Sequence, residues 1–150
     1  MLATLKPTQN IALLDVVPAS AATGTYTTGW LAAAKYEAFL AVVQNGALGS
    51  SGTIDAKIQQ AQDSSGTNAK DVTATIMTQN TQAGGDSNKV NLINLLQRDL
   101  DIPNGFGYFR LSITVGTATS VVGGLVYALN ERYAPAAGNN GTAVKQVVNG

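Results

Sequence analysis

The sequence predicts an all-β fold: a single-domain, jelly-roll-like β-sandwich or barrel of seven to eight strands, with extended arms at both termini. Three observations predict it. Short apolar segments recur at a spacing of roughly 10–15 residues with turn-forming clusters between them, the rhythm of a sandwich or barrel. Several segments alternate apolar and polar residues with period two, which places successive side chains on opposite faces of a strand. The stretch Phe106 to Tyr133, FGYFRLSITVGTATSVVGGLVYALNERY, reads as two long strands joined by a short turn.

In chain order, residues 1–10 are polar and lack the basic start and apolar run of a signal peptide. Ile11 to Val17 (IALLDVV) is a short apolar run followed by Pro18. It is expected as an edge strand or an extended arm, because proline cannot donate to a central ladder. Residues 18–28 (PASAATGTYTT) are expected as a loop bending at Gly24. Residues 29–48 carry competing signals. The alanines and the spacing of Trp30, Ala33, Ala34, Glu37, Ala38 and Ala41 allow a helix over 31–43. That stripe, however, holds a glutamate and few large side chains, whereas Phe39, Val42 and Val43 favour strand and Asn45-Gly46 is a turn signal. Two strands are expected, at 29–34 and 37–44 with a tight connection near Lys35-Tyr36, and the helix is the alternative.

Residues 47–52 are expected as a loop. In Thr53 to Ala61, Ile54, Ala56 and Ile58 alternate with Asp55, Lys57 and Gln59, which reads as a half-buried strand. Residues 63–71 carry turn chemistry. Val72, Ala74 and Ile76 alternating with Thr73, Thr75 and Met77 then predict another strand, and 79–88 a loop. Lys89 to Leu96 begins as alternation, Val90 and Leu92 against Asn91, and slips at Ile93, which signals a bulge or a strand end. Asp99 to Gly105 reads as a turn. Phe109, Leu111, Ile113 and Val115 then alternate with Tyr108, Arg110, Ser112 and Thr114, giving one apolar and one mixed face. Ser120 to Leu129 is apolar on both sides apart from two glycines, so it is expected deep in a sheet. Gly116 to Thr119 is the expected hairpin loop between these strands. The tail after Tyr133 is rich in Gly, Ala and Asn and is either mobile or an arm that orders on a neighbour. The expected organisation is an arm or edge strand at 1–17, a sandwich at 18–133 and an arm at 134–150.

Composition narrows the function. Charged residues make up 12% of the 150, about half the usual ~25%. The surface is therefore neutral and polar, with little charge repulsion between copies. Nine basic residues balance nine acidic ones and are scattered singly from Lys6 to Lys145, so no basic stripe marks a nucleic-acid or anionic-membrane partner. No stretch reaches the ~18 apolar residues of a membrane span. The absence of histidine and cysteine removes the commonest general base, the thiolate nucleophile, disulfides and the usual zinc ligands. No catalytic, cofactor or metal motif is found, and the chain is not expected to be an enzyme.

Several partial motifs have a plainer structural reading. Asp63-Ser64-Ser65-Gly66-Thr67-Asn68 has oxygen ligands at alternating positions but not the EF-hand spacing. Asp99 and Asp101 could form a carboxylate pair, but run into Pro103 and read as turn and cap residues. Gly46, Gly49 and Gly52 are not followed by the Lys-Ser/Thr of a phosphate loop. Trp30 and Tyr26 could stack on sugars, or pack in a core or interface. Arg110 is an interface anchor or a solvated strand charge. The candidate interface residues are Trp30, Tyr26, Arg110, Tyr108, Arg132 and Tyr133.

Several stretches in order carry a resemblance: Trp30 leading to Tyr36-Glu37 and AVVQNGALG (41–49), TIDAKIQQAQDSSGTNAKDV (53–72), RDLDIPNGFGYFRLSITVG (98–116) and ERYAP (131–135). Across residues 26–135 the chain resembles the small tailed-bacteriophage proteins described as head decoration, cement or capsid-stabilising proteins. The resemblance implies a β-rich, often jelly-roll-like fold on the capsid exterior, commonly as trimers, with the major capsid protein as partner and no catalytic residues. The expected role is then structural: bridging capsid subunits on the virion after synthesis in the host cytoplasm. Two other classes stay open, a carbohydrate- or receptor-binding β-sandwich on a virion surface and a tail or head–tail connector component.

Overall fold

The computed structural model describes residues 6–132 and 138–149. Its strands are β1 (Ile11–Ser20), β2 (Gly24–Thr27), β3 (Leu31–Ala32), β4 (Tyr36–Leu48), β5 (Thr53–Ala61), β6 (Lys70–Asp71), β7 (Asn80–Thr81), β8 (Val90–Leu96), β9 (Tyr108–Gly116) and β10 (Ser120–Glu131). Seven of these are four residues or longer. Two antiparallel sheets form a sandwich. The first has the order β1-β10-β4-β8, and the second β2-β9-β5-β6, with β3 on β9 and β7 on β5.

The pairing is nested. β1 lies on β10 with Ile11 opposite Leu129, β2 on β9 with Gly24 opposite Val115, and β4 on β8 with Ala38 opposite Leu96. Innermost, β5 holds β6 and β7. A long antiparallel hairpin rolled into two layers is the jelly roll, so the predicted fold class holds.

Period two explains the core. Ile54, Ala56 and Ile58 on β5 and Phe109, Leu111, Ile113 and Val115 on β9 are buried against Phe39, Ala41 and Val43 on β4 and Val122, Val126 and Ala128 on β10. The rings of Phe39 and Phe109 lie 4.4 Å apart, and Tyr36 meets Phe39 edge-on at 6.3 Å. Gly124 lets the sheets close: a Cβ there would sit 2.8 and 2.9 Å from the side chains of Leu111 and Ile113.

Several expectations are corrected. β9 and β10 do not pair as a hairpin: the connection 117–119 crosses from the second sheet to the first, so each strand finds its partners elsewhere. The two strands expected at 29–34 and 37–44 are found as β3 and β4, the first shorter and the second longer than expected, and the alternative helix over 31–43 is absent. The Asn45-Gly46 turn is strand interior, because Asn45 is buried and its amide donates to the Asp86 carbonyl at 2.7 Å while its Oδ1 accepts from Asn80 at 3.1 Å. The loop at 18–28 instead ends β1 and contains β2. The strand expected at 72–77 does not form; the segment holds the 3-10 turn Thr73–Thr75, where the Thr75 hydroxyl donates to the Val72 carbonyl and accepts from Ile58 N–H. β8 keeps an unbroken register with β4; the apparent slip at Ile93 arises because Val90 and Leu92 face solvent while Ile93 and Leu95 are buried.

The expected arms are also revised. Pro7–Asn10 forms one helical turn, and 11–17 is an edge strand of the first sheet rather than a free arm. In the C-terminal segment, the described residues fold back on β1: Asn139 Oδ1 accepts from Leu13 N–H at 2.8 Å, and Asn140 donates to the carbonyls of Leu13 and Leu14. Residues 134–137 lie outside the described residues.

Gly124→Val is expected to destabilise the fold by about 1–3 kcal/mol through overpacking, measured as a lower urea midpoint at unchanged slope. An unchanged midpoint would mean that Leu111 and Ile113 do not close on this glycine.

Candidate functional site

The two outer faces of the sandwich differ in chemistry. On the second sheet, alternation turns Asp55, Lys57 and Gln59 of β5 and Arg110, Ser112 and Thr114 of β9 outward. The Arg110 guanidinium lies over the Trp30 ring at 4.4 Å, and its Nε donates to Gln59 Oε1 at 2.9 Å. Gln59 donates in turn to Asp71 at 2.9 Å, and Lys57 pairs with the other Asp71 oxygen at 2.7 Å. The hydrogen bonds from Lys57 and Gln59 hold the Asp71 carboxyl below its ordinary range. Trp30 is seated on Gly66, which has φ +87°, and a Cβ there would come within 2.6 Å of the indole Nε1. Only glycine combines that backbone with that closeness.

The first sheet's outer face is apolar. Its register aligns Ile11, Leu129, Ala38 and Leu96 in one row; Leu13, Tyr127, Leu40 and Asn94 in the next; Val16, Leu125, Val42 and Leu92 in a third; and Gly123, Gln44 and Val90 in a fourth. No residue of these rows is charged. Leu92 is 61% exposed, Val90 54% and Val121 47%. A groove of about 490 Å³ opens over Gly123, lined by Val16, Pro18, Val42, Val121 and Leu125. A solvated outer sheet face normally alternates to polar residues, and a contiguous exposed apolar surface marks an interaction site.

Of the residues singled out from sequence, Trp30 and Arg110 come together, and Tyr108 sits two residues before Arg110 on β9. Tyr26 instead packs against the core and donates its hydroxyl to the Ala22 carbonyl at 2.9 Å. Arg132 lies away from Trp30 and Arg110, just past the end of β10, hydrogen-bonded to Gln97. Tyr133 lies outside the described residues. The Asp63 carboxylate accepts from Ser65 N–H, Thr67 N–H and the Thr67 hydroxyl, so it closes its own loop. Asp99 caps Leu96 N–H at 2.8 Å, and Asp101 pairs with Lys70 at 2.7 Å. Sequence reasoning did not single out the first sheet's outer face, although the two-sided apolarity of Ser120 to Leu129 was its signal.

No family model matches the chain, and no curated protein matches it. Among solved structures it is similar to the CBM22-1 and GH10 modules of the Clostridium thermocellum endo-1,4-beta-D-xylanase 10B, a structure complexed with xylohexaose. Identity is 10%, the match covers 85% of this chain and 27% of that one, and the TM-score is 0.40. The chain thus spans about a quarter of that protein's length, and a likeness of this size carries no argument about ligand or activity.

Because the folded Asp71 value lies below the unfolded one, its contribution is full above the ordinary carboxylate range and drains as pH falls through the depressed value. Asp71→Asn is expected to lower stability at neutral pH and to shrink the loss below about pH 4. Denaturant titrations from pH 7 to pH 2 measure both, and parallel pH profiles for the two proteins would contradict the assignment.

Proposed function

We propose that this chain is a non-enzymatic structural protein of a tailed-phage virion, one that decorates and stabilises the capsid exterior by bridging major capsid protein subunits. The observation that carries the reading is the uncharged apolar outer face of the first sheet, which suits a permanent contact with another protein surface. The resemblance of residues 26–135 to head decoration and cement proteins supplies the partner.

The mechanism is cross-linking. A copy seated across adjacent subunits must be detached from all of them before the shell opens, so modest contacts act together. Specific interfaces usually bury about 1,200–2,000 Å² in total; the four rows of the first sheet form the core of such a patch, and the polar second sheet faces solvent. No catalytic step is assigned, since Asp63, Asp71, Asp99 and Asp101 are all engaged by local donors.

Purified protein incubated with phage heads lacking it is expected to co-sediment saturably, at a fixed copy number per capsid subunit, and to make the heads more resistant to heat. Val42→Lys, in the centre of the apolar face, is expected to weaken binding at least ~10-fold, equivalent to about 1.4 kcal/mol, while leaving the fold intact. Absence of binding to heads would overturn the reading in favour of a tail component or a glycan-binding module. Full binding by the Val42→Lys protein would move the contact off the first sheet.

A further inference from the structure

The free edge of β8 is unlike the other sheet edges among the described residues. β2, β3, β6 and β7 are four residues or shorter. β1 has register shifts after Leu13 and Val17, contains Pro18, and is hydrogen-bonded by Asn139 and Asn140. Short strands, bulges, prolines and covering segments are the devices that stop an edge from recruiting another strand. β8 lacks the first three: it is seven residues long, regular in register, and carries no charge or proline from Val90 to Leu96, and the segment Ala74–Met77 lies across a groove from it without a backbone hydrogen bond to it among the described residues.

The direction of its backbone groups follows from one bond. Asn45 N–H donates to the Lys89 carbonyl at 3.0 Å, so odd-numbered residues of β8 point their N–H and C=O at β4, and even-numbered ones point away. Leu96 agrees, since its N–H is taken by Asp99 from outside the sheet. The N–H and C=O groups of Val90, Leu92 and Asn94 therefore face outward, with no partner among the described residues. A groove of about 320 Å³ runs beside them, between Leu92–Asn94 and Ala74–Met77, and Ile76 there is 51% exposed.

We propose that β8 pairs with β8 of a second copy, antiparallel about a two-fold axis through Leu92, making one eight-stranded sheet. Asp99 occupies Leu96 N–H, which leaves three open positions arranged symmetrically about Leu92. Pairing Val90 with Asn94 of the second copy, Leu92 with Leu92 and Asn94 with Val90 uses all of them. The absence of charge on the strand means that self-pairing sets no like charges opposite each other. The two-fold axis stands perpendicular to the sheet, so both apolar outer faces end up on the same side as one surface. The proposal does not depend on the capsid reading and is tested on the purified chain alone, so either can fail without the other.

Sedimentation equilibrium is expected to give twice the chain mass for the unmodified protein, dissociating on dilution. Leu92→Lys and Leu92→Glu proteins are each expected to sediment as monomers, with dissociation constants raised at least tenfold. An equimolar mixture of the two is expected to regain the dimer mass. Circular dichroism confirms that the variants fold, as expected for a side chain already 61% exposed. Independently of any variant, amide exchange at Leu92 and Asn94 in the unmodified chain is expected to slow as concentration rises. A monomer at every concentration overturns the proposal. So does a dimer or trimer whose mass and exchange are indifferent to Leu92.

Discussion

Strand β10 must be paired on both sides before either layer can close, and the rest of the fold hangs on that closure. Its partners come from the opposite end of the chain: β1, where Ile11 meets Leu129, and β4, where Phe39 meets Ala128. Such contacts cost loop-closure entropy before they return any burial. They are worth that cost because β10 brings Val122, Val126 and Ala128 to the interior and because Gly124 admits the side chains of Leu111 and Ile113 from the other layer. With β10 in place, β4 acquires its second neighbour in β8, and the pairs β2–β9 and β5–β9 are positioned opposite them.

The long strands were legible where one face is buried and the other wet. Thr53 to Ala61 and Tyr108 to Val115 show this plainly, since Lys57, Gln59, Arg110 and Thr114 mark the outer side as clearly as Ile58 and Leu111 mark the inner. Two-residue strands such as Lys70–Asp71 are too short to carry a period. The sheet to which a strand belongs was not legible at all: Gly116 to Thr119 says that the chain turns, not that it crosses between layers. Asn45-Gly46 misled because a turn signal and a buried amide network use the same residue, and Asn45 lies among Asn80, Asn91 and the Asp86 carbonyl.

The candidate surfaces were half legible for the same reason. Trp30 and Arg110 could each be singled out, but their contact joins segments 80 positions apart through the register of β9 with β3 and β5. The apolar outer face was written in the sequence as excess hydrophobicity. Val90 and Leu92 looked like a phase error and Ser120 to Leu129 like a doubly buried strand. Both signals are correct statements about apolar side chains, and in the isolated sandwich both point to a surface that lacks a covering layer.

The placement of charge completes the distinction between the faces. The second sheet and its loops hold Lys57 with Asp71, Lys70 with Asp101, and Arg110 with Trp30, so the charges there are engaged within the chain. The first sheet holds one charge within a strand, Asp15 at the register shift of β1, whose carboxylate accepts from the N–H groups of Val16 and Gly29; Glu37, Lys89, Arg98 and Glu131 lie at or just beyond strand ends, and the four outer rows are neutral. Attraction to those rows therefore comes from removing apolar area from water, a term that depends little on salt, whereas steering by charge falls off within a Debye length of ~10 Å at 0.1 M salt. A face built this way gains little in encounter rate and much in persistence once a complementary apolar surface is seated on it.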